Sequence, residues 1–334
     1  MQTISSISEF LLEAHTEYRI FDMGRTIREI NAQSFLEIEN GSEPAPYPRQ
    51  QMFWVGLLFW NKSLSTQQYI WFLKLPLDEN GCVVCAHRDQ FLHIIVDALG
   101  KEFIEEHKEA KLPDNPYQFA PPQQQMADFN AIAKKTLSLP LSSDAEKARL
   151  YLAAPTPDGW QTLSIQGLSD ACVTLQKTTL NGLTQYWQDY PIEVQRSIGA
   201  SLENIALPES FRATLSAKLL KSDFHSEQAL LLLRAISRDN DDVQLRTYVT
   251  KQLNENESVS QDLLIVLAGR FWHWCSHEAF LLAFLEKCAR EDCFAALYPD
   301  LVQIPGIRSH LLAVLRNTQR SAELGKAIGA LFQR

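Results

Sequence analysis

The sequence predicts a two-part protein: an α+β N-terminal domain with a small antiparallel sheet and packing helices, followed by an all-α domain of HEAT-like helical repeats. Three observations carry this expectation. Two aromatic-rich apolar runs, Met52–Trp60 and Tyr69–Leu75, lie within the first 110 residues. A segment with four prolines and three consecutive glutamines follows, from Lys111 to Gln125. Beyond it strand signals largely disappear, and helical patterns follow one another with short gaps. The expected boundaries are therefore an α+β domain over 1–110, a Pro/Gln-rich linker over 111–125, and a helical-repeat domain over 126–334.

Each element has its own local reason. Ser5–Ala14 places Ile7, Phe10, Leu11 and Ala14 at helical spacing behind capping serines. Tyr18–Met23 alternates like a strand, and Thr26–Ile30 reads as its returning partner, with Gly24 supplying a positive-φ turn. Gln33–Glu39 is a short helix, and the proline-rich stretch Gly41–Pro48 is a loop. Gln51–Trp60 is apolar on both faces, so it fits a buried strand or a buried helix. Its Trp, Phe and Val residues favour strand. Tyr69–Leu75 pairs with it across the polar loop 61–67, and Pro76 ends the second strand. From Arg88 to about His107, Phe91, Leu92, Ile95, Val96, Leu99 and Phe103 mark an amphipathic helix able to cover the sheet.

In the C-terminal part, 126–139 and 144–154 are helical, with prolines between segments. Further helices are expected at 191–204, 208–221, 226–237, 241–254, 258–272, 276–290, 307–317 and 322–332. Starts at 191, 226, 258 and roughly 293 recur like one helix pair per repeat, the spacing of an α-solenoid. An irregular helical bundle would show similar helix lengths without the regular stacking.

Composition bounds the function. The net charge is −9, and residues 1–110 hold 9 Lys/Arg against 16 Asp/Glu, a net of −7. That acidity argues against nucleic acid, whose non-specific binding rests on Lys/Arg replacing counterions. Six cysteines in a chain of 334 residues, with no basic and apolar leader at the N-terminus, read as reduced thiols of a soluble, cytoplasmic protein. No apolar run approaches the ~18 residues of a membrane helix, so membrane insertion is not expected. Phosphate loops, nucleophile elbows, His-Glu-x-x-His and dinucleotide fingerprints are all missing from the sequence. No cofactor is expected, and enzymatic activity is disfavoured without being excluded.

Several residues invite chemistry. Lys74 lies inside an apolar strand, where an ammonium must reach water or find a partner. Asp22, from the preceding hairpin, is the natural partner. Asp22, Arg25, Lys74 and Asp78 form the candidate ligand site, suited to a small anion; a structural ion pair or a solvated lysine is the plainer alternative. Cys82 and Cys85 with His87 and His93 have a metal-like composition. β-branched valines between the cysteines suit a strand, which would turn the two thiols to opposite faces and defeat a zinc site. Trp272, His273 and Trp274 crowd a helix–helix junction and are candidate partner-binding anchors, with inter-repeat packing as the alternative.

The runs Ser8–Leu12, Tyr18–Arg25, Tyr47-Pro48, Ile70–Glu79 and Arg88–Leu92 resemble an uncharacterised bacterial family, domain of unknown function thirty-five forty-nine. The resemblance implies a bacterial, soluble, two-part protein and brings no catalytic or binding residues with it. The expected function is accordingly a non-enzymatic interaction or scaffold protein that offers a helical-repeat surface to an unidentified protein partner. The alternative is a small-molecule or anion binder, or an enzyme, with its pocket at Asp22, Arg25 and Lys74.

Overall fold

A computed structural model describes residues 4–61, 67–102, 114–317 and 320–333. The loop at 62–66, the expected helix end at 103–107 and linker positions 111–113 lie outside the described residues. The chain divides into two compact units, residues 1–120 with 302–308 and residues 121–301 with 309–334.

In the first unit, α1 (Ile7–Glu13) leads into β1 (Glu17–Asp22), β2 (Arg28–Ile30), α2 (Ala32–Glu39), β3 (Met52–Trp60), β4 (Gln68–Pro76) and α3 (Cys85–Glu102). The strands form one antiparallel sheet in the order β2-β1-β3-β4. The ambiguous 51–60 run is thus a strand, and its period of two decides which residues form the core. Phe53, Val55 and Leu57 of β3 pack with Ile20, Leu73 and Leu75, and α1, α2 and α3 add Ile7, Leu11, Phe35, Phe91 and Ile95. Burying each such side chain stabilises by roughly 1.5–3 kcal/mol.

Helix α1 is capped twice. Ser6 accepts the Glu9 N–H at 3.0 Å, and the buried Glu39 carboxylate accepts the N–H groups of Ile7 and Ser8 at 2.6 and 3.0 Å. A carboxylate there satisfies orphan donors and complements the helix dipole. Helix α3 begins at Cys85, three residues before its expected start. Cys82–Cys85 is accordingly a turn into a helix rather than a strand, with Val83 bridging to Leu77.

The second unit begins with α4 (Gln123–Thr136), α5 (Ala145–Ala153), α6 (Ile165–Val173) and α7 (Lys177–Tyr186). It continues with α8 (Ile192–Leu202), α9 (Glu209–Leu219), α10 (Glu227–Ala235), α11 (Val243–Glu255), α12 (Gln261–Arg270) and α13 (Glu278–Arg290). Helices α14 (Phe294–Val302), α15 (Arg308–Val314) and α16 (Ala322–Leu331) close the chain. Packing between alternate helices dominates: α4 meets α6, α6 meets α8, α8 meets α10 and α10 meets α12, while α5 meets α7, α7 meets α9 and α11 meets α13.

Helices α6 and α7 fall in a stretch, 155–190, to which the sequence pattern assigns none. Each carries a glycine where α5 passes. A Cβ on Gly182 would lie 1.9 Å from the Leu152 carbonyl oxygen, and one on Gly167 would lie 2.8 Å from that of Asp144. Close packing requires residues that weaken the helix signal.

Candidate functional site

The structure separates the four residues of the expected ligand site. Asp22 closes β1, is fully buried, and accepts the Gly24 N–H on Oδ1 at 2.8 Å. Burial pushes its carboxyl up to about 8, against the Gly24 hydrogen bond and the positive charges of Arg25, Arg28 and Arg49. Arg25 is buried in the same turn. Arg28 stacks 5.0 Å from the Tyr47 ring centroid, and Arg49 lies 4.4 Å from that of Trp54.

Gly24 does not supply the positive φ that the tight turn suggested, since the only described glycines in that region are Gly41 and Gly81. It permits close approach instead: a Cβ would lie 2.1 Å from the Tyr47 carbonyl oxygen. The turn after β1 is therefore pressed against the 44–49 loop.

Lys74 is elsewhere. Asp22 pairs with Val55, which pairs with Leu73, whereas Lys74 pairs with Trp54. Paired residues share a face and neighbours along a strand alternate, so Asp22 and Lys74 project from opposite faces of the sheet. The expected Asp22–Lys74 partnership is not made. Lys74 places its ammonium 6.0 Å from the Trp54 ring centroid, and its main-chain N–H donates to Tyr117 O at 2.7 Å. Asp78 serves its own turn, where Oδ1 accepts from Asn80 N at 2.9 Å and Cys82 N at 2.8 Å.

His87 hydrogen-bonds the Tyr117 hydroxyl at 3.0 Å, and His93 sits 3.3 Å from Asp97 on the same helix. Among the described residues no group of three His, Cys, Asp or Glu side chains is placed to share a metal ion.

Trp272, His273 and Trp274 lie in a short 3-10 turn between α12 and α13. Trp274 is fully buried and donates its indole N–H to the Asn240 carbonyl at 3.0 Å. His273 Nε2 lies 2.9 Å from the same oxygen. These two side chains join neighbouring helix pairs, and Trp272 remains half-buried.

That junction belongs to a recurrent arrangement. Asn204, Asn240 and Asn256 each donate from Nδ2 to the carbonyl four residues earlier, at Ala200, Ile236 and Gln252, with distances of 2.9, 2.8 and 2.7 Å. The Ala200 and Ile236 carbonyls are thereby satisfied at their helix ends, while the Gln252 carbonyl also accepts the Asn256 main-chain N–H at 3.1 Å. The asparagine's own main-chain carbonyl is then taken by a side chain one helix pair later. Arg238 reaches Asn204 O, Trp274 reaches Asn240 O, and Lys287 reaches Asn256 O, at separations of 34, 34 and 31 residues.

A second chain of polar groups runs through α4, α6, α8, α10 and α12. Asp128 of α4 is buried, and its Oδ1 accepts from Gln124 at 3.0 Å, Ser169 at 2.8 Å and Ser201 at 2.6 Å. Burial raises its carboxyl to about 6, opposed by these hydrogen bonds. The buried Glu203 carboxylate binds Arg234 and also accepts from Arg270 Nη2 at 2.8 Å. Burial pushes the Glu203 pKa up, and the two guanidiniums outweigh it and hold the carboxyl below its ordinary range.

Chemically, both serine hydroxyls donate into one carboxylate oxygen that already accepts the Gln124 amide. The network has the form of a closed hydrogen-bond seam rather than a nucleophile with an available base.

The seam escapes sequence reading because Ser169 lies on α6, and because Asp128 finds its hydroxyl partners 41 and 73 residues away. The available signal was the repetition itself, with short polar residues recurring near equivalent helix positions about one helix pair apart.

The second unit also presents an open groove of about 590 Å³ between α11 and the start of α13. Arg246, Lys251 and His277 line it with Thr250, Asn254 and Glu255, and Phe280 lies at its floor. Arg246 is paired with Asp241, and Lys251 lies 3.7 Å from Glu255.

Residues 2–332 match the family described as Protein of unknown function (DUF3549), and the chain belongs to that family. No curated protein and no solved structure matches the chain.

Proposed function

We propose that this protein is a non-enzymatic interaction scaffold whose second unit is a HEAT-like stack of helix pairs that docks a partner protein. The observation that carries the reading is the asparagine ladder. Asn204 and Asn240, after α8 and α10, each have the main-chain carbonyl bound by a side chain 34 residues later, and Asn256, after α11, has its own bound 31 residues later. Such a recurrence is what stacked repeats of one supersecondary unit require, and stacked repeats expose long continuous binding surfaces. The starts of α8, α10, α12 and α14 at 192, 227, 261 and 294 have the same spacing. The absorption of Asp128, Ser169 and Ser201 into their own hydrogen bonds supports the non-enzymatic part of the reading.

Docking falls to the α11–α13 groove. Its lining carries Arg246, Lys251 and His277, with Asp241 beside Arg246 and His277 and Glu255 beside Lys251, so a polar partner segment bearing both signs of charge is the matching chemistry. The rival ligand pocket draws no support from Lys74, which faces away from Asp22.

A photoreactive benzoylphenylalanine introduced at Lys251 or Asn254 of the full chain is expected to give discrete cross-linked adducts in cells of the source organism. The same probe at Leu150, a 65% exposed residue of α5, is expected to give none of them. Identical adducts at all three positions, or none at Lys251 and Asn254, would remove the groove from the proposal.

A further inference from the structure

We propose that Cys288 and Cys293 form a peroxide-oxidisable dithiol, a covalent modification site at the C-terminal end of α13. The backbone brings them together. Asp292 adopts the left-handed conformation, with φ 55°, and Cys293 N–H donates to Cys288 O at 3.0 Å. This is the six-to-one bond of a Schellman helix stop, which sets the residue after the turn beside the last helical turn. That bond length, added to standard covalent dimensions, limits the Cα separation to about 7 Å. A disulfide spans roughly 4.4–6.8 Å between Cα atoms. The two thiols are close enough to influence each other's titration.

The two sulfurs are not equivalent. Cys288 is fully buried, whereas Cys293 is 8% exposed. The neighbouring Cys288 thiol lowers the Cys293 pKa against burial and the negative charges of Glu291 and Asp292. Burial, followed by Cys293 and Cys275, holds the Cys288 thiol up. Cys293, the sulfur with an opening to solvent, is therefore the attacking one and Cys288 the resolving one.

In the first step the Cys293 thiolate attacks one oxygen of hydrogen peroxide. The O–O bond breaks, hydroxide leaves, and Cys293 becomes a sulfenic acid. In the second, the Cys288 thiol gives up its proton and its sulfur attacks that of Cys293. The S–O bond breaks, and the hydroxyl leaves with the proton as water. The thiol pair loses two electrons and the peroxide gains them.

The test uses the reduced full-length chain, a stoichiometric amount of peroxide, thiol blocking and tryptic mapping without reductant. Because Arg290 lies between the cysteines, the expected product is a pair of tryptic peptides joined through Cys288 and Cys293 and released by dithiothreitol. Cys293→Ser should abolish the link. Cys288→Ala should leave a dimedone-reactive sulfenic acid at Cys293. Cys293 should oxidise on the order of tenfold faster than Cys82 in the same sample. A link from Cys293 to Cys275, oxidation of Cys293 no faster than Cys82, or overoxidation without a disulfide would each overturn the proposal. Because Cys82 is read within the wild-type chain, the rate comparison holds even where a variant fails to fold.

Discussion

Replacing Glu203 with Ala is expected to lower the unfolding free energy by about 3 kcal/mol. That value is the lower end of the range for breaking a buried ion pair from one side. Glu203 is 5% exposed at its side chain, while Arg234 and Arg270 retain 32% and 22%. The carboxylate is thus the desolvated member, and the arginines keep enough water to soften the loss of their partner. Deleting the acid leaves two guanidiniums on neighbouring helices facing one another without a counter-charge. Glu203→Gln, which keeps an acceptor of the same shape, should lose less. Urea titrations of the three proteins measure both differences. A loss below about 1 kcal/mol for the alanine variant, the range of a solvated surface pair, would show that the Glu203 bridge holds nothing together.

Asp128 provides the second large effect, through pH. Its folded pKa of about 6 lies above the ordinary value of 3.8, so folding favours the protonated acid. The stability contributed by this group is complete below about pH 4 and is lost as pH rises through about 6. A shift of roughly two units corresponds to about 3 kcal/mol. Asp128→Asn removes the titration and keeps an oxygen to accept from Ser169 and Ser201. The stability of the variant relative to the wild type should therefore rise by about 3 kcal/mol between pH 3 and pH 7. Taking the difference between the two proteins cancels the other titrating groups, including Asp22 and Glu39. Urea midpoints at four pH values are sufficient, and parallel curves would contradict the assignment.

Much of the architecture was legible where one local rule dominated. β-propensity placed strands at β3 and β4, and the helical patterns at 226–237 and 258–272 located α10 and α12. The legible features fail where close packing between elements selects against local signal. Gly167 and Gly182 weaken α6 and α7 by about 1 kcal/mol each relative to alanine, yet α5 lies too close for any larger residue. Gly24 likewise looked like a turn residue chosen for its φ and proved to be one chosen for clearance from Tyr47. Asp128 could not be singled out, because a lone acid in a helix normally faces water and its partners come from α6 and α8. The ligand site drawn from Asp22, Arg25, Lys74 and Asp78 rested on proximity within unusual runs. Strand parity then sends Asp22 and Lys74 to opposite faces, and Asp78 satisfies its own turn.

The helical-repeat reading is tested most directly by amide hydrogen exchange on Asn240→Ala. This variant removes the Nδ2 cap of Ile236 O at the end of α10 and disturbs the carbonyl that receives Trp274. In a stack of helix pairs stability is carried by each unit and its nearest neighbours. Exchange is expected to accelerate in α10 and α12, to change less in α8, and to be unchanged in α4 and α5. An equal acceleration across all helices of the second unit would mark a single cooperative bundle and contradict the repeat architecture on which the proposed function stands.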